Sequence, residues 1–329
     1  MYTVKIANDN DIPRLIEFFR GVYSPSHILT EKKYLDWQYK NAAANIYYPE
    51  YPNLLLKKND QIVGHLGLIP YKFKIKKEIV NAAFLASLIV DKNLRSHGAG
   101  VMLVREAEKY FDLLYTTGFN PNSVPVLKYC GWKEELWINR WVYNVGGKRV
   151  INNNEALEIK KFNESWNESW KTLKLKREGT IDRNSDYLNW RFVDNPYIRY
   201  KIYGLKNNKG YVILRIEKGD EYSACRIVDL ISEEANARAL FLSAINYAIE
   251  SKVDFIDFFS FPVIYEKSLR GAGFNIYDPA ENPDPPIFLL PINRERLALN
   301  FSYKQIKGED LRASDWLVVK SDGDRDRAY

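Results

Sequence analysis

The sequence is poor in the residues that build metal centres and covalent cross-links. Its 329 positions hold two cysteines, Cys130 and Cys225, and three histidines, His27, His65 and His97. So few thiols, so far apart, fit neither a disulfide framework nor a Cys-based zinc site, and a His-rich metal site fits no better. Long hydrophobic runs are missing too. The longest, Ala82 to Val90, spans nine residues and includes Ser87, against the roughly 20 that cross a bilayer as a helix. The start, Met1 to Ile6, alternates like a strand and lacks the charged and apolar blocks of a signal peptide, so a cytoplasmic location is expected. With only 17 glycines, 46% hydrophobic and 27% charged residues, the composition is that of a globular protein. The length allows one large domain or two of about 150 residues, and two are expected.

Charge of one sign dominates only weakly. Lys and Arg number 48 against 42 acids, a net +6 that permits a polyanionic ligand without requiring one. The densest basic run, Lys72 to Lys77, alternates with apolar residues and predicts a strand with a solvated lysine face, the alternative being an anion patch. No zinc-finger spacing, aromatic RNA-binding motif or basic helix points to nucleic acid.

The first 145 residues predict the order β-α-β-β-β-α-β-α-β. A strand at Tyr2 to Ala7 precedes the capping cluster Asn8 to Asp11 and a helix with Ile12, Leu15, Ile16 and Phe19 on one face. Strands are expected at Leu54 to Lys57, Ile62 to Ile69, Tyr71 to Ile79, Phe84 to Val90 and Leu113 to Thr117. Helices are expected from about Gly100 and near Val124 to Tyr129, before Gly131-Trp132. Between Gly146 and Ile181 the chain turns polar and repeats Asn-Glu-Ser-Trp at 163–166 and 167–170. Trp166 and Trp170 share a helix face, either buried in an interface or forming an aromatic wall for a substrate.

The second half repeats the first. Tyr34-Leu35-Asp36-Trp37-Gln38-Tyr39 returns as Tyr187-Leu188-Asn189-Trp190-Arg191-Phe192, each ahead of a strand hairpin. Strands at Tyr200 to Leu205, Gly210 to Glu217, Cys225 to Ile231 and Val253 to Phe259 follow the same order. So do a helix from Ala237 to Ala248, a short helix around Val263 to Leu269 and the closing Gly273-Phe274.

One stretch carries chemistry. The apolar strand ending Leu88-Ile89-Val90 runs through Asp91 into Arg95-Ser96-His97-Gly98-Ala99-Gly100 and then a helix. Glycines at 98 and 100 let a ligand approach the backbone, and the unpaired N–H groups of a first helical turn favour an anion such as a diphosphate. Neither the dinucleotide fingerprint nor the P-loop pattern fits the spacing. His65, between Gly64 and Gly67 on a central strand, is a candidate base with one face open to a ligand, or a satisfied core histidine. Asp91 with a chain of waters is a further candidate. After the corresponding strand of the second half, Glu233 and Glu234 replace the glycines and would repel a diphosphate. Near the end, Asp322-Gly323-Asp324 predicts a solvated acidic turn, since the other ligands of a calcium loop are missing.

Residues 1 to about 145 resemble the GCN5-related N-acetyltransferase (GNAT) family, whose acyl-CoA loop has the pattern Gln/Arg-x-x-Gly-x-Gly/Ala, here Arg95, Gly98 and Gly100. The resemblance implies an α/β (α+β) fold of tandem GNAT-like domains, each a mixed, mostly antiparallel sheet flanked by helices. A catalytic domain would span 1–145, a linker region 146–182, and a degenerate domain without a CoA loop 183–329. It implies acetyl-CoA as co-substrate, with Leu88, Ile89 and Val90 on the pantetheine arm and the loop Arg95, Ser96, His97, Gly98, Ala99 and Gly100 on the pyrophosphate. Asn122 would take the family's cofactor-contacting asparagine role, with Asn120 competing. The family places a tyrosine four residues before the glycine matched by Gly131, where this chain has Leu127, so the general acid falls to Tyr129, which otherwise packs. Two-domain relatives of this kind from bacterial surface-polysaccharide clusters imply a small amine acceptor such as a nucleotide-linked amino sugar. The alternatives are a Fem-type aminoacyltransferase and a silent acyl-CoA-binding scaffold.

Overall fold

Two eight-stranded sheets carry the chain in a computed structural model that describes residues 2–94, 97–133, 136–278, 280, 281, 284–295, 299–324 and 326. In chain order the strands are β1 (Tyr2–Ala7), β2 (Tyr51–Lys58), β3 (Gln61–Ile75), β4 (Glu78–Val90), β5 (Leu113–Thr117), β6 (Leu136–Trp137), β7 (Asn139–Asn144), β8 (Ala156–Glu158), β9 (Gly179–Ile181), β10 (Lys201–Leu205), β11 (Gly210–Lys218), β12 (Ser223–Ser232), β13 (Phe255–Phe261), β14 (Asn275–Tyr277), β15 (Phe288–Leu289), β16 (Ile292–Asn293), β17 (Asn300–Gln305) and β18 (Val318–Val319). The helices are α1 (Ile12–Val22), α2 (Lys32–Leu35), α3 (Ala99–Ala107), α4 (Val124–Tyr129), α5 (Glu164–Lys174), α6 (Ser185–Leu188), α7 (Glu234–Glu250) and α8 (Glu266–Ala272).

The first sheet has the order β1-β2-β3-β4-β5-β17-β6 and the second β8-β10-β11-β12-β13-β7-β14, read from corresponding edges. In each, the fourth and fifth strands, β4–β5 and β12–β13, are parallel, and every other pairing along the path is antiparallel. The halves thus share one topology, as the repeated element order implied, and the fold is the mixed α/β type expected. They also trade a strand: β7 lies in the second sheet beside β13, and β17 from the second half lies in the first beside β5. No single cut of the chain separates two self-contained sheets.

The run Tyr71 to Ile79 is not a separate strand. β3 continues through Pro70 to Ile75, and the chain reverses at Lys76, which takes φ of 51°. Pro70 has no N–H, and it sits in a gap on one side of β3, between the ladder to β2, which ends at Gly67, and that to β9, which starts at Phe73. The lysine face is not wholly solvated either. β9 covers this end of β3, so Lys74 is buried with its ammonium donating to the carbonyl of Arg177, while Lys72 donates to Asn81 Oδ1 at 2.7 Å. Trp166 and Trp170 are buried on α5, their indole N–H groups held by Arg183 O at 2.8 Å and Asp182 Oδ1 at 2.7 Å.

The two copies of the repeated hexapeptide continue α2 and α6 as short π-helical turns at Asp36–Lys40 and Asn189–Val193. They meet where the halves join. Trp37 and Trp190 stack there with ring centroids 5.7 Å apart. The supposed acidic turn is also interior. Asp322 is buried and paired with Arg183, which pairs in turn with Asp229 at 3.0 Å, and Asp326 pairs with Arg215 at 2.8 Å and accepts from Tyr200 Oη at 2.6 Å. Two buried arginines, Arg183 and Arg215, need carboxylate partners in the interior, which explains why Asp322 and Asp326 leave solvent.

Candidate functional site

The parallel pairing of β4 with β5 covers only Ala82, Ala83 and Phe84 against Leu113, Leu114 and Tyr115; beyond it the strands part. Just past that point β4 bulges: Gly67 faces Ala86 but His65 faces Ile89, and Ser87 takes φ of 51°. A bulge re-aims the backbone and releases ladder groups. The opening between the strands forms an inner cavity of about 330 Å³, lined by Leu85, Ser87 and Leu88 of β4, Thr116 and Thr117 of β5, Tyr23 beyond α1, and Leu127 of α4. It joins an outer cavity of about 540 Å³ lined by Leu88, Ile89, Val90, Gly100, Asn120, Asn122 and Ser123, and both share Tyr23, Leu88, Asn120 and Ser123.

The outer end meets the start of α3. Gly98 precedes the helix with φ of 73°, a left-handed conformation that favours glycine. The first α-type bond of the helix runs from Met102 N to Gly98 O at 3.0 Å, which leaves the N–H groups of Ala99, Gly100 and Val101 without intrahelical acceptors. Amides and helix dipole together favour an anion at this mouth. His97 is exposed on the same loop; Arg95 and Ser96 lie outside the described residues. Asp91 caps its own turn by accepting from Asn93 N at 2.8 Å.

Of the expected site residues, Leu88, Ile89, Val90, Gly100 and Asn122 line the cavities, and Gly98 and Ala99 start the helix beside them. Asn120 accepts from Asn122 N at 2.9 Å, so both asparagines belong to one turn at the mouth. Tyr129 does not join them. It ends α4 at 73% exposure and lines neither cavity, because the helix turns Val126 and Leu127 inward instead. Leu127, and not Tyr129, faces the inner cavity.

His65 is not open to a ligand. It is fully buried, edge-on to Phe19, with Nδ1 3.0 Å from Ser87 O and Nε2 2.7 Å from the side-chain amide of Asn53. Burial pushes its pKa down to about 4, so the ring is neutral and carries one proton. Nδ1–H then donates to Ser87 O, and Nε2 accepts from Asn53 with the amide turned to present Nδ2, which otherwise has no partner. His65 therefore ties the bulge of β4 to β3 rather than facing a substrate.

The corresponding place in the second half is filled. β12 and β13 pair in parallel from Ala224 to Ile227 against Phe255 to Phe258 and then part, as β4 and β5 do. Here β18 pairs with Ser260 and Phe261 of β13, and Ser321 N donates to Val228 O of β12 at 3.0 Å. At the start of α7, Glu233 pairs with Lys176 at 2.8 Å, and Glu234 accepts from the backbone and hydroxyl of Ser268 at 2.8 Å. A segment of the chain takes the space that stays open in the first half.

Sequence reasoning missed Tyr23, Thr116, Thr117, Ser123 and Asp324, which line the inner cavity. Asp324 reaches it from residues next to β18. Residues 320–324 form a turn rather than a strand, so no periodicity in the sequence marks Asp324 as facing the cavity.

Residues 16–132 match the Acetyltransferase (GNAT) family. No curated protein matches the sequence significantly. Among solved structures, a GCN5-related N-acetyltransferase from Anabaena variabilis superposes with a TM-score of 0.67 at 13% identity over 93% of this chain and 73% of that one. An Enterococcus faecalis protein described as a probable N-acyltransferase gives 0.61 at 12% identity over 93% and 73%. A GCN5-related N-acetyltransferase from Kribbella flavida gives 0.58 at 13% over 80% and 65%. At such identities the likeness is one of fold.

Proposed function

From the match of residues 16–132 to the Acetyltransferase (GNAT) family, we propose that the chain is an N-acetyltransferase that transfers the acetyl group of acetyl-CoA to a primary amine of a small acceptor, a nucleotide-linked amino sugar being the favoured class. The observation that carries the reading is the parting of β4 and β5 past Phe84 and Tyr115 into a cleft that continues to the start of α3.

In this reading the pyrophosphate rests on the amides between Gly98 and Val101, and the pantetheine arm runs along Leu88, Ile89 and Val90 toward the inner cavity. Acetyl-CoA supplies an activated thioester. The protein holds it against the amine, polarises its carbonyl with a backbone N–H, and excludes water. The amine attacks directly, so no covalent nucleophile is needed. Residues 1–145 would carry the chemistry, and 183–329 would complete the acceptor side.

The test is calorimetric titration with CoA followed by thiol release from acetyl-CoA across a panel of amines, including amino sugars and their nucleotide conjugates. Binding of CoA with amine-dependent thiol release supports the reading. Binding without release on any amine leaves the scaffold alternative, and no binding overturns both.

A further inference from the structure

The inner cavity has one carboxylate among its described lining residues, Asp324, and it comes from the far end of the second half. Its neighbours show how it is held. Two positions before it, Asp322 is buried against Arg183 and accepts from Val319 N at 2.8 Å; two positions after, Asp326 is buried against Arg215 and Tyr200. Arg191, itself buried, donates through Nη2 to the carbonyls of Gly323 at 2.9 Å, Ser321 at 3.3 Å and Asp326 at 3.4 Å. Gly323 lies so close to Phe84 that a Cβ there would stand 2.4 Å from the ring. Phe84 is the residue at which β4 leaves β5. The segment is thus pinned on both sides of Asp324 and pressed against the origin of the cleft, while Asp324 alone of the three acids stays half-buried at the cavity.

We infer that Asp324 receives the acceptor: it binds the substrate's ammonium group and takes its proton, which makes the acceptor class an alkylammonium. The inference rests on the acetyltransferase reading above. Three titratable groups outside the cavity lining do not serve. Tyr39 and Tyr71 are raised well above the ordinary phenol value, first by burial and further by charges that include Asp324, and His65 has both ring nitrogens engaged. In the balanced step the ammonium passes one proton to Asp324. The neutral amine then forms a C–N bond to the thioester carbon as the C–S bond breaks. The second amine proton goes to the departing thiolate, giving amide and CoA thiol, and Asp324 returns its proton to solvent.

The test compares the full chain with Asp324→Asn, using an alkylamine charged at the assay pH and an arylamine already neutral there. The expected result is a loss of about 10²- to 10⁴-fold in kcat/KM for the alkylamine, little change for the arylamine, and unchanged CoA affinity by calorimetry. Equal losses on both amines would mark Asp324 as structural and overturn the inference, as would no loss on either. A wild-type chain that binds CoA and acetylates amines while the variant does the same overturns the inference alone. A wild-type chain that does neither overturns the acetyltransferase reading and the inference with it.

Discussion

Trp37 and Trp190 each donate an indole N–H to the other's backbone carbonyl, at 3.0 and 2.8 Å, across the junction of the two halves. The two residues hold equivalent places in the repeated hexapeptide, so the bonds are related by the internal symmetry of the chain.

Removing either N–H while keeping a ring should leave one buried carbonyl unpaired. Trp37→Phe and Trp190→Phe are each expected to lower unfolding free energy by about 1–3 kcal/mol, since an orphaned buried acceptor costs that much. Denaturant titration of the two singles and the double checks this. A coupling of about 0.5–3 kcal/mol is expected for residues in contact, and strict additivity would show that the pair is energetically independent.

CoA should bind once per chain. The cleft of the first half is open, whereas β18 and Ser321 fill the equivalent space of the second. Gly100→Glu sets a carboxylate at the helix start where a Cβ meets only Val126 at 3.4 Å, so folding is spared. CoA affinity should fall by a few kcal/mol, the worth of several charge-assisted hydrogen bonds. Two equivalent sites in calorimetry, or one indifferent to this change, would refute the assignment.

Tyr129→Phe should leave turnover within about twofold of wild type, since removing a hydroxyl from an exposed surface position costs no transition-state interaction. A fall of about 10²-fold or more, the usual loss of a general acid, would mean that α4 rearranges when substrate binds.

Stability should depend on pH at both ends. Burial holds His65 down to about 4, below its ordinary value of about 6.5. The unfolded chain therefore takes up a proton that the folded chain refuses, and stability present above about pH 6.5 is lost as pH falls toward 4, by up to about 3 kcal/mol. Lys320 is buried between the rings of Phe259 and Phe288, and burial lowers it to about 7. Its unfolded form stays protonated to about pH 10.4, so stability should rise between those values. His65→Asn should flatten the acid limb and Lys320→Met the alkaline one in unfolding titrations across pH. An acid limb that survives in His65→Asn would assign it to carboxylates instead.

Much of this was legible in local pattern. The strand Leu113 to Thr117, the helix Val124 to Tyr129 and the repeat at Trp37 and Trp190 follow from periodicity and stand where expected. What local pattern lacks is the partner. Nothing near Lys74 announces that Gly179 to Ile181 will cover it, and nothing near Asp322 announces Arg183. His65 was misplaced for a related reason. Flanking glycines suggest an open face, but the bulge at Ser87 arises from a register shift against another strand, and that shift supplies the acceptor that closes the face. Tyr129 was misjudged by phase: in a helix of six residues, two positions separate the inward Leu127 from an exposed side chain.

The trade of β7 for β17 sets a timetable for synthesis. β5 gains its outer neighbour only when Phe301 reaches Thr117 and Gln305 reaches Leu113, and at about 5–20 residues per second the ribosome needs on the order of ten seconds or more to make the intervening chain. Through that interval the emerging first half carries an unpaired strand edge, the kind of surface that recruits chaperones or stray strands. A ribosome stalled before residue 300 is predicted to display a protease-sensitive, CoA-incompetent first half, and the released full chain a resistant one.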